Sequence, residues 1–331
     1  MPETPDAHPA PSPLSPASPP APPLPAPYRA RPATLADAGA IHRLVAACEH
    51  DLLGSVETGA DAVTARLTLP DLDPALDTLL VHAPGPGPRP GAEPELVGRV
   101  WVHGGRRSEV DVHPAHRGRG LGGLLLDWAE ARARLMGGVR LAQPAEDCDA
   151  AAVALLLSRG YAPFVTQWLL GIAVPDEPEV PEPPAGVTVR PFRPGDEHAA
   201  HRLVEDAFGQ WQKRRLPYDE WARLTVEQAA FAPAMSPVAF AGGEMVGALV
   251  ALDVPGSAEG YVDRLAVRAD HRGRGIAGVL LRETFRAFHQ RGRIGCTLWT
   301  HSATGALTLY EHLGMSVRRS SSVYAKALEP G

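Results

Sequence analysis

The chain repeats itself. His42-Arg43-Leu44-Val45 returns as His201-Arg202-Leu203-Val204, and an Arg-Pro pair precedes each at equal distance, Arg31-Pro32 and Arg190-Pro191. Glu95-Leu96-Val97-Gly98 returns as Glu244-Met245-Val246-Gly247. The run HRGRGLGG at 116–123 returns as HRGRGIAG at 271–278, and Gly160 corresponds to Gly314. The order of the matches is kept, and the differences in length fall in Pro/Gly-rich turns, so the chain is a duplicated domain. A length of 331 residues agrees, because a chain of that size exceeds one ordinary core and divides into two of about 150 residues each.

Residues 1–27 alternate Pro with Ala and Ser and hold too little apolar surface to offset the entropy of ordering, which predicts a disordered tail. Residues 175–186 (PDEPEVPEPPAG) combine Pro with Asp176, Glu177, Glu179 and Glu182 and read as a stiff, self-repelling linker. The expected domains are therefore 28–174 and 187–331. A net charge of −6 disfavours a general nucleic-acid binder, and no apolar run approaches the ~20 residues that span a bilayer. Cys48, Cys148 and Cys296 lie far apart without a CxxC pair, so neither a disulfide framework nor a metal site is expected, and a reducing cytoplasm fits.

In the second copy, period and punctuation predict a strand at 187–192, a helix at 197–208 and two strands, 237–241 and 245–252, joined at Gly242-Gly243. A strand at 261–267, a helix at 276–290, a strand at 296–300, a helix at 304–313 and a strand at 322–327 follow. With a second helix before the hairpin, the order is β-α-α-β-β-β-α-β-α-β, a mixed α/β sheet flanked by helices.

In both copies a strand runs into Arg-Gly-Arg-Gly and then directly into an amphipathic helix. Unpaired N–H groups and the helix dipole favour an anion there, glycine lets backbone approach a phosphate, and Arg117, Arg119, Arg272 and Arg274 add charge. The pattern is neither a P-loop nor a dinucleotide fingerprint. It resembles the GNAT superfamily of N-acetyltransferases, whose [Q/R]xxGx[G/A] motif is met by RGRGLG at 117–122 and RGRGIA at 272–277. A helix ending in ALxLYxxxGF is matched by Ala306 to Met315. Tandem copies resemble the double-domain, mycothiol synthase type. The resemblance implies an α/β fold of two tandem GNAT-like domains, each a mixed, mostly antiparallel sheet flanked by helices. It implies acetyl-CoA as co-substrate, no metal, and a small-molecule or peptide amine as acceptor. It also implies a pyrophosphate site at Arg117, Gly118, Arg119, Gly120, Leu121 and Gly122, and at Arg272, Gly273, Arg274, Gly275, Ile276 and Ala277. The pantetheine arm would pair with the preceding strands, at Val110, Asp111 and Val112, and at Leu265, Ala266 and Val267.

Acyl transfer to an amine needs a deprotonated amine, a stabilised oxyanion and a proton for the departing thiolate. Tyr310 stands where the family carries its acid, and a phenol with a reference pKa of ~10 is protonated at neutral pH. Aligning Gly160 with Gly314 sets Leu156 opposite Tyr310, so the first copy lacks that acid. Strict alternation would put Tyr261, Asp263 and Leu265 on one face, which makes Asp263 the expected base, through water, with Glu259 in reserve. The same count aligns Asp263 with Ser108 and turns Glu109 and Asp111 to the other face. Ser302 replaces an asparagine that many members use on the pantetheine. The connection at 210–221, with Trp211, Tyr218 and Trp221, is expected to wall the acceptor. Chemistry is thus expected in the second copy by direct attack. Two other readings are an acyl-CoA-binding regulatory module without turnover, and catalysis by both domains.

Overall fold

The computed structural model describes residues 18–69, 71–84, 94–209 and 214–329. In chain order its elements are β1 (Arg29–Arg31), α1 (Ala38–Leu53), α2 (Ala60–Leu67), α3 (Pro74–Asp77), β2 (Thr78–Ala83), β3 (Glu95–His103), β4 (Arg107–Val112), α4 (Leu121–Leu135), β5 (Arg140–Glu146), α5 (Ala150–Ser158) and β6 (Ala162–Ala173). The second copy follows as β7 (Val187–Pro191), α6 (Glu197–Phe208), α7 (Tyr218–Leu224), β8 (Pro237–Ala241), β9 (Glu244–Leu252), β10 (Glu259–Val267), α8 (Ile276–Gln290), β11 (Gly295–His301), α9 (Leu307–His312) and β12 (Ser316–Ala327). The element order read from the sequence is recovered. Helix α9 starts later than expected, because Gly305 at φ 65° separates it from a short 3-10 turn.

The chain forms two compact units, 1–165 with 321–331, and 166–320. In the first unit β1, β2, β3 and β4 pair antiparallel in sequence, β4 meets β5 in parallel, and β5 pairs antiparallel with Ser321–Ala327 of β12. In the second, β7, β8, β9 and β10 pair antiparallel, β10 meets β11 in parallel, and β11 pairs antiparallel with residues 167–173 of β6. Each sheet is mixed and mostly antiparallel. The last strand of each copy completes the other copy's sheet, so the compact units differ at their ends from the boundaries at 174 and 187 that the linker composition suggests.

The repeated words are structural fittings. Arg31 and Arg190 each make a forked pair with the carboxylate that opens the first helix, Asp37 and Asp196, at 2.6–2.8 Å. That arginine is the main reason both carboxyls titrate well below the usual range. The histidines of the HRLV words pin the loop after the first helix: His42 Nε2 lies 3.1 Å from the Thr58 carbonyl, and His201 Nε2 lies 2.8 Å from that of Leu216. Residues 18–27, part of the tail by composition, rest on the first unit, where Leu24 packs on its core and Trp128 Nε1 donates to the Pro19 carbonyl at 3.3 Å. Residues 1–17 lie outside the described residues.

Helix α8 buries Ile276, Leu280, Leu281, Phe285 and Phe288 along one face, in a cluster with Val262, Leu298 and Tyr310. Leu170 of β6 is fully buried in the same cluster. Leu170→Ala is therefore expected to cost ~2 to 5 kcal/mol, the usual range for emptying a core leucine site. Amide hydrogen exchange should show the loss in α8 and β11 and leave α4 protected, although Leu170 belongs to the first copy by sequence.

Candidate active site

The site is made by two strands that part. Strands β10 and β11 pair in parallel only from Glu259–Gly295 to Val262–Leu298. Beyond that point β10 continues on β9 as far as Val267, and β11 continues on β6 as far as His301. A wedge opens between them, and along it the β11-facing edge of Leu265, Ala266 and Val267 has no strand partner among the described residues. Backbone N–H and C=O groups demand partners, so such an edge suits an extended arm that carries its own amides.

The pairing of β10 with β9 slips between Val262 and Arg264, which makes Asp263 a bulge residue. This corrects the strict alternation expected from sequence. Val262 and Leu265 both pack in the α8 cluster, whereas Ala266 packs under α6 and the Arg264 guanidinium lies over the Phe208 ring at 5.9 Å. Asp263 shares the α6 face with Arg264, whose Nε is 3.3 Å from Asp263 Oδ2, and Leu265 has moved to the other face. Burial pushes the Asp263 carboxyl above the usual aspartate range, partly offset by Arg264. Tyr261 beside it is raised as well, by burial and then by the Asp263 charge.

The bulge also resets the alignment of the copies. Ser108 pairs with Val102 and Val262 with Ala251, so Ser108 corresponds to Val262, and Asp263 has no counterpart in the first copy. Glu109 and Asp111 then share the face of Asp263, contrary to the alternation count. They are tied down: Asp111 to Arg99 at 2.5 Å and Glu109 to Arg66 at 2.6 Å.

Tyr310 lies on α9, buried in the α8 cluster, and burial pushes its phenol up to about 12. Phenol and Asp263 thus approach from opposite faces of the sheet. The Met315 N–H donates to the Tyr310 carbonyl at 3.0 Å, and the Tyr161 N–H to that of Leu156 at 3.1 Å, so the backbone confirms Leu156, 2% exposed, as the equivalent position. Glu259 stands apart, at the closed end of the strand pair, held by both nitrogens of Arg318 at 2.6 and 2.7 Å. Ser302 Oγ accepts from the Thr166 N–H at 3.1 Å. Tyr218 and Trp221 pack with α6, while Trp211 lies outside the described residues.

The glycine loops are alike in backbone. Gly118, Gly120, Gly273 and Gly275 have φ of 71° to 86°, and Gly120 and Gly275 open α4 and α8 without a side-chain cap. Leu121 and Ile276 bury their side chains as the first helical residues, Gly122 and Ala277 follow, and N–H groups this early in a helix have no intrahelical acceptor. The arginines differ. Arg117 donates to Asp51 and to the Val112 carbonyl, and Arg119 to Tyr28 and to the Ala115 carbonyl. Arg272 uses Nε on the Val267 carbonyl at 3.0 Å, and Arg274 has no hydrogen bond or ion pair among the described residues. A wedge opens in the first unit too, where β4 and β5 pair only at Arg107–Ala142, but there Ser108 Oγ donates to Gln143 Oε1 at 2.9 Å beneath Val110 and Val112.

The model of the acetyltransferase (GNAT) family matches residues 92–161 and 198–315, more than half the chain. The chain belongs to this family. It is accordingly an acetyl-CoA-dependent N-acyltransferase with a tandem GNAT fold. Mycothiol acetyltransferases of Salinispora tropica and Thermobispora bispora are 33% and 30% identical to it over 225 and 221 residues, 63% of this chain in each case and 69% and 72% of theirs. A solved GCN5-related N-acetyltransferase from Sphaerobacter thermophilus is 30% identical, with a TM-score of 0.70 over 93% of this chain and 98% of that one. A tandem GNAT protein from the clavulanic acid pathway shares the fold at 17% identity, with a TM-score of 0.63 over 92% and 99% of the two chains.

A carboxyl raised by burial binds its proton more tightly folded than unfolded, so its ionisation opposes folding at neutral pH and is without effect in acid. Asp263→Asn is thus expected to raise the melting temperature of this GNAT acetyltransferase at about pH 7 and to leave it unchanged near pH 3. Calorimetric melts at the two pH values check this.

Proposed function

We propose that the second unit carries the chemistry, moving an acetyl group from acetyl-CoA to a primary amine by direct attack in a ternary complex. The observation that carries this reading is the wedge between β10 and β11, where a desolvated carboxylate stands on one face and a buried phenol on the other. The pyrophosphate rests on Arg272, Gly273, Arg274 and Gly275 and on the N–H groups of Ile276 and Ala277, and the pantetheine arm pairs with Leu265, Ala266 and Val267. Asp263, through water, takes a proton from the acceptor ammonium. The amine nitrogen attacks the thioester carbon, a backbone N–H near Leu265 receives the oxyanion, and the C–S bond breaks as the Tyr310 hydroxyl protonates the thiolate, the second proton lost by the acylated nitrogen passing through water to restore the phenol.

The phenol's raised pKa keeps it protonated throughout the working range. Glu259, bound to Arg318, is a strut in this scheme. Arg117, Gly118, Arg119, Gly120, Leu121 and Gly122, with Val110 and Val112, form a second CoA site in the first unit. That site is catalytically silent in this scheme, because Leu156 replaces the phenol and Glu109 and Asp111 are held by Arg66 and Arg99. The acceptor is a small molecule or peptide amine, and the similarity to mycothiol acetyltransferases favours the former. The reaction belongs in the cytoplasm, where three dispersed thiols stay reduced.

Tyr310→Phe keeps the ring in its core and removes the proton donor. Turnover should fall by ~10²- to 10⁴-fold with acetyl-CoA affinity nearly unchanged. Gly275→Val forces a branched residue into left-handed backbone and should abolish turnover, whereas Gly120→Val should leave most of it. Thiol release from acetyl-CoA is the assay, run against aminoglycosides, polyamines, amino acids, N-terminal peptides and a mycothiol precursor. Full activity in the Gly275 variant with loss in the Gly120 variant would assign the chemistry to the first unit.

A further inference from the structure

The last pair before β10 and β11 part is Val262 with Leu298, and both side chains belong to the α8 cluster. The next residue on each strand is therefore the first beyond the split, and each turns to the opposite, α6 face. On β10 that residue is Asp263, and on β11 it is Trp299. The β11–β6 register is unbroken through this stretch, with Leu298 opposite buried Leu170 and Trp299 opposite Leu169, so no second bulge alters the alternation. A carboxylate and an indole thus stand on the same face at the base of the wedge.

Trp299 is also out of place for a structural residue. Its neighbours Leu298 and Thr300 are buried, yet the indole is 37% exposed, at a point where β11 keeps β6 as a strand neighbour and has left β10. The guanidinium of Arg319 lies 5.3 Å from the ring centre, so one face already takes a cation, and a ring has two faces.

We infer that Trp299 is a specificity-determining residue for the acceptor, forming with Asp263 a floor that takes a primary ammonium on the carboxylate and lays its apolar skeleton on the indole. The inference rests on the second unit being the catalytic one, and it narrows the acceptor to amines whose carbon next to nitrogen can lie flat on an aromatic face. Charge alone does not suffice on this floor, and neither does stacking alone.

The test uses the full chain, with cyclohexylamine as probe and cyclohexanol as its neutral isostere, read by tryptophan emission. Cyclohexylamine should change the emission saturably, and cyclohexanol should need about tenfold more for the same change, the scale of a desolvated cation–π and ion-pair contact. Trp299→Phe keeps a ring but removes one of six indoles, so the signal should vanish while acetyl-CoA calorimetry stays unchanged. Asp263→Asn should weaken the amine response toward that of the alcohol. A signal that persists in Trp299→Phe, equal responses to amine and alcohol, or no response to either would overturn the inference. The same calorimetry on Gly275→Val tests the acetyl-CoA site by itself: unchanged binding there would sink the reading of the second unit whatever the amine does.

Discussion

Two parallel strands that pair for four positions and then separate set the terms for everything else in the second unit. Parting them strips backbone groups of their partners along an edge, which a fold tolerates only when each strand is held firmly from its other side. β10 is held by β9 and β11 by residues 167–173 of β6, with Leu170 driven into the core beneath. The strand that secures β11 comes from the first copy of the repeat. The open edge is thus maintained by a segment that the linear order of the chain assigns elsewhere, and the first unit uses the C-terminal strand in the same way.

The two units share this frame and differ in what they hang on it. The fittings outside the wedge are duplicated almost atom for atom: the forked Arg31–Asp37 and Arg190–Asp196 pairs, the loop-pinning histidines, and the left-handed glycines before α4 and α8. At the wedge they diverge. One residue inserted in β10 turns Asp263 onto the α6 face, where it loses water, and α9 brings up a phenol. In the first unit an unbulged strand presents Glu109 and Asp111 on the same face, but Arg66 and Arg99 neutralise them, and Leu156 fills the phenol's place. A duplicated fold can place different side chains at its two wedges with few changes, because the frame does not depend on what occupies the opening.

A bulge also explains how a carboxylate can be both desolvated and usable. Regular alternation would have paired position 263 with β9. The extra residue kinks the strand at the point where it leaves its neighbour, which widens the gap and re-aims the side chain in one step. Arg264, carried to the same face by the same slip, keeps the carboxylate from rising further. In the proposed scheme, the stability given up in burying this charge is the counterpart of a base that meets its substrate without a full hydration shell.

Much of this was legible in the chain itself. The duplication, the order of elements, the two glycine loops and the position of Tyr310 against Leu156 follow from spacing, since turn glycines and apolar periodicity act locally and leave their mark in consecutive residues. The face count that singles out Asp263 fails at Leu265, because a bulge depends on how a strand registers with its neighbour and leaves no local pattern. Trp299 was missed for the same reason: alternation on β11 turns it away from Leu298, but only the parting of the strands sets it beside Asp263. Glu259 and the loop arginines of the first unit were candidates by residue type, and partners distant in sequence, Arg318, Asp51 and Tyr28, decide how free they are. The sequence by itself determined which elements form and which open with a glycine loop. Tertiary structure decided which side chains share a face, which charges are already spent, and which strand closes which sheet, because those depend on pairings between residues far apart in the chain.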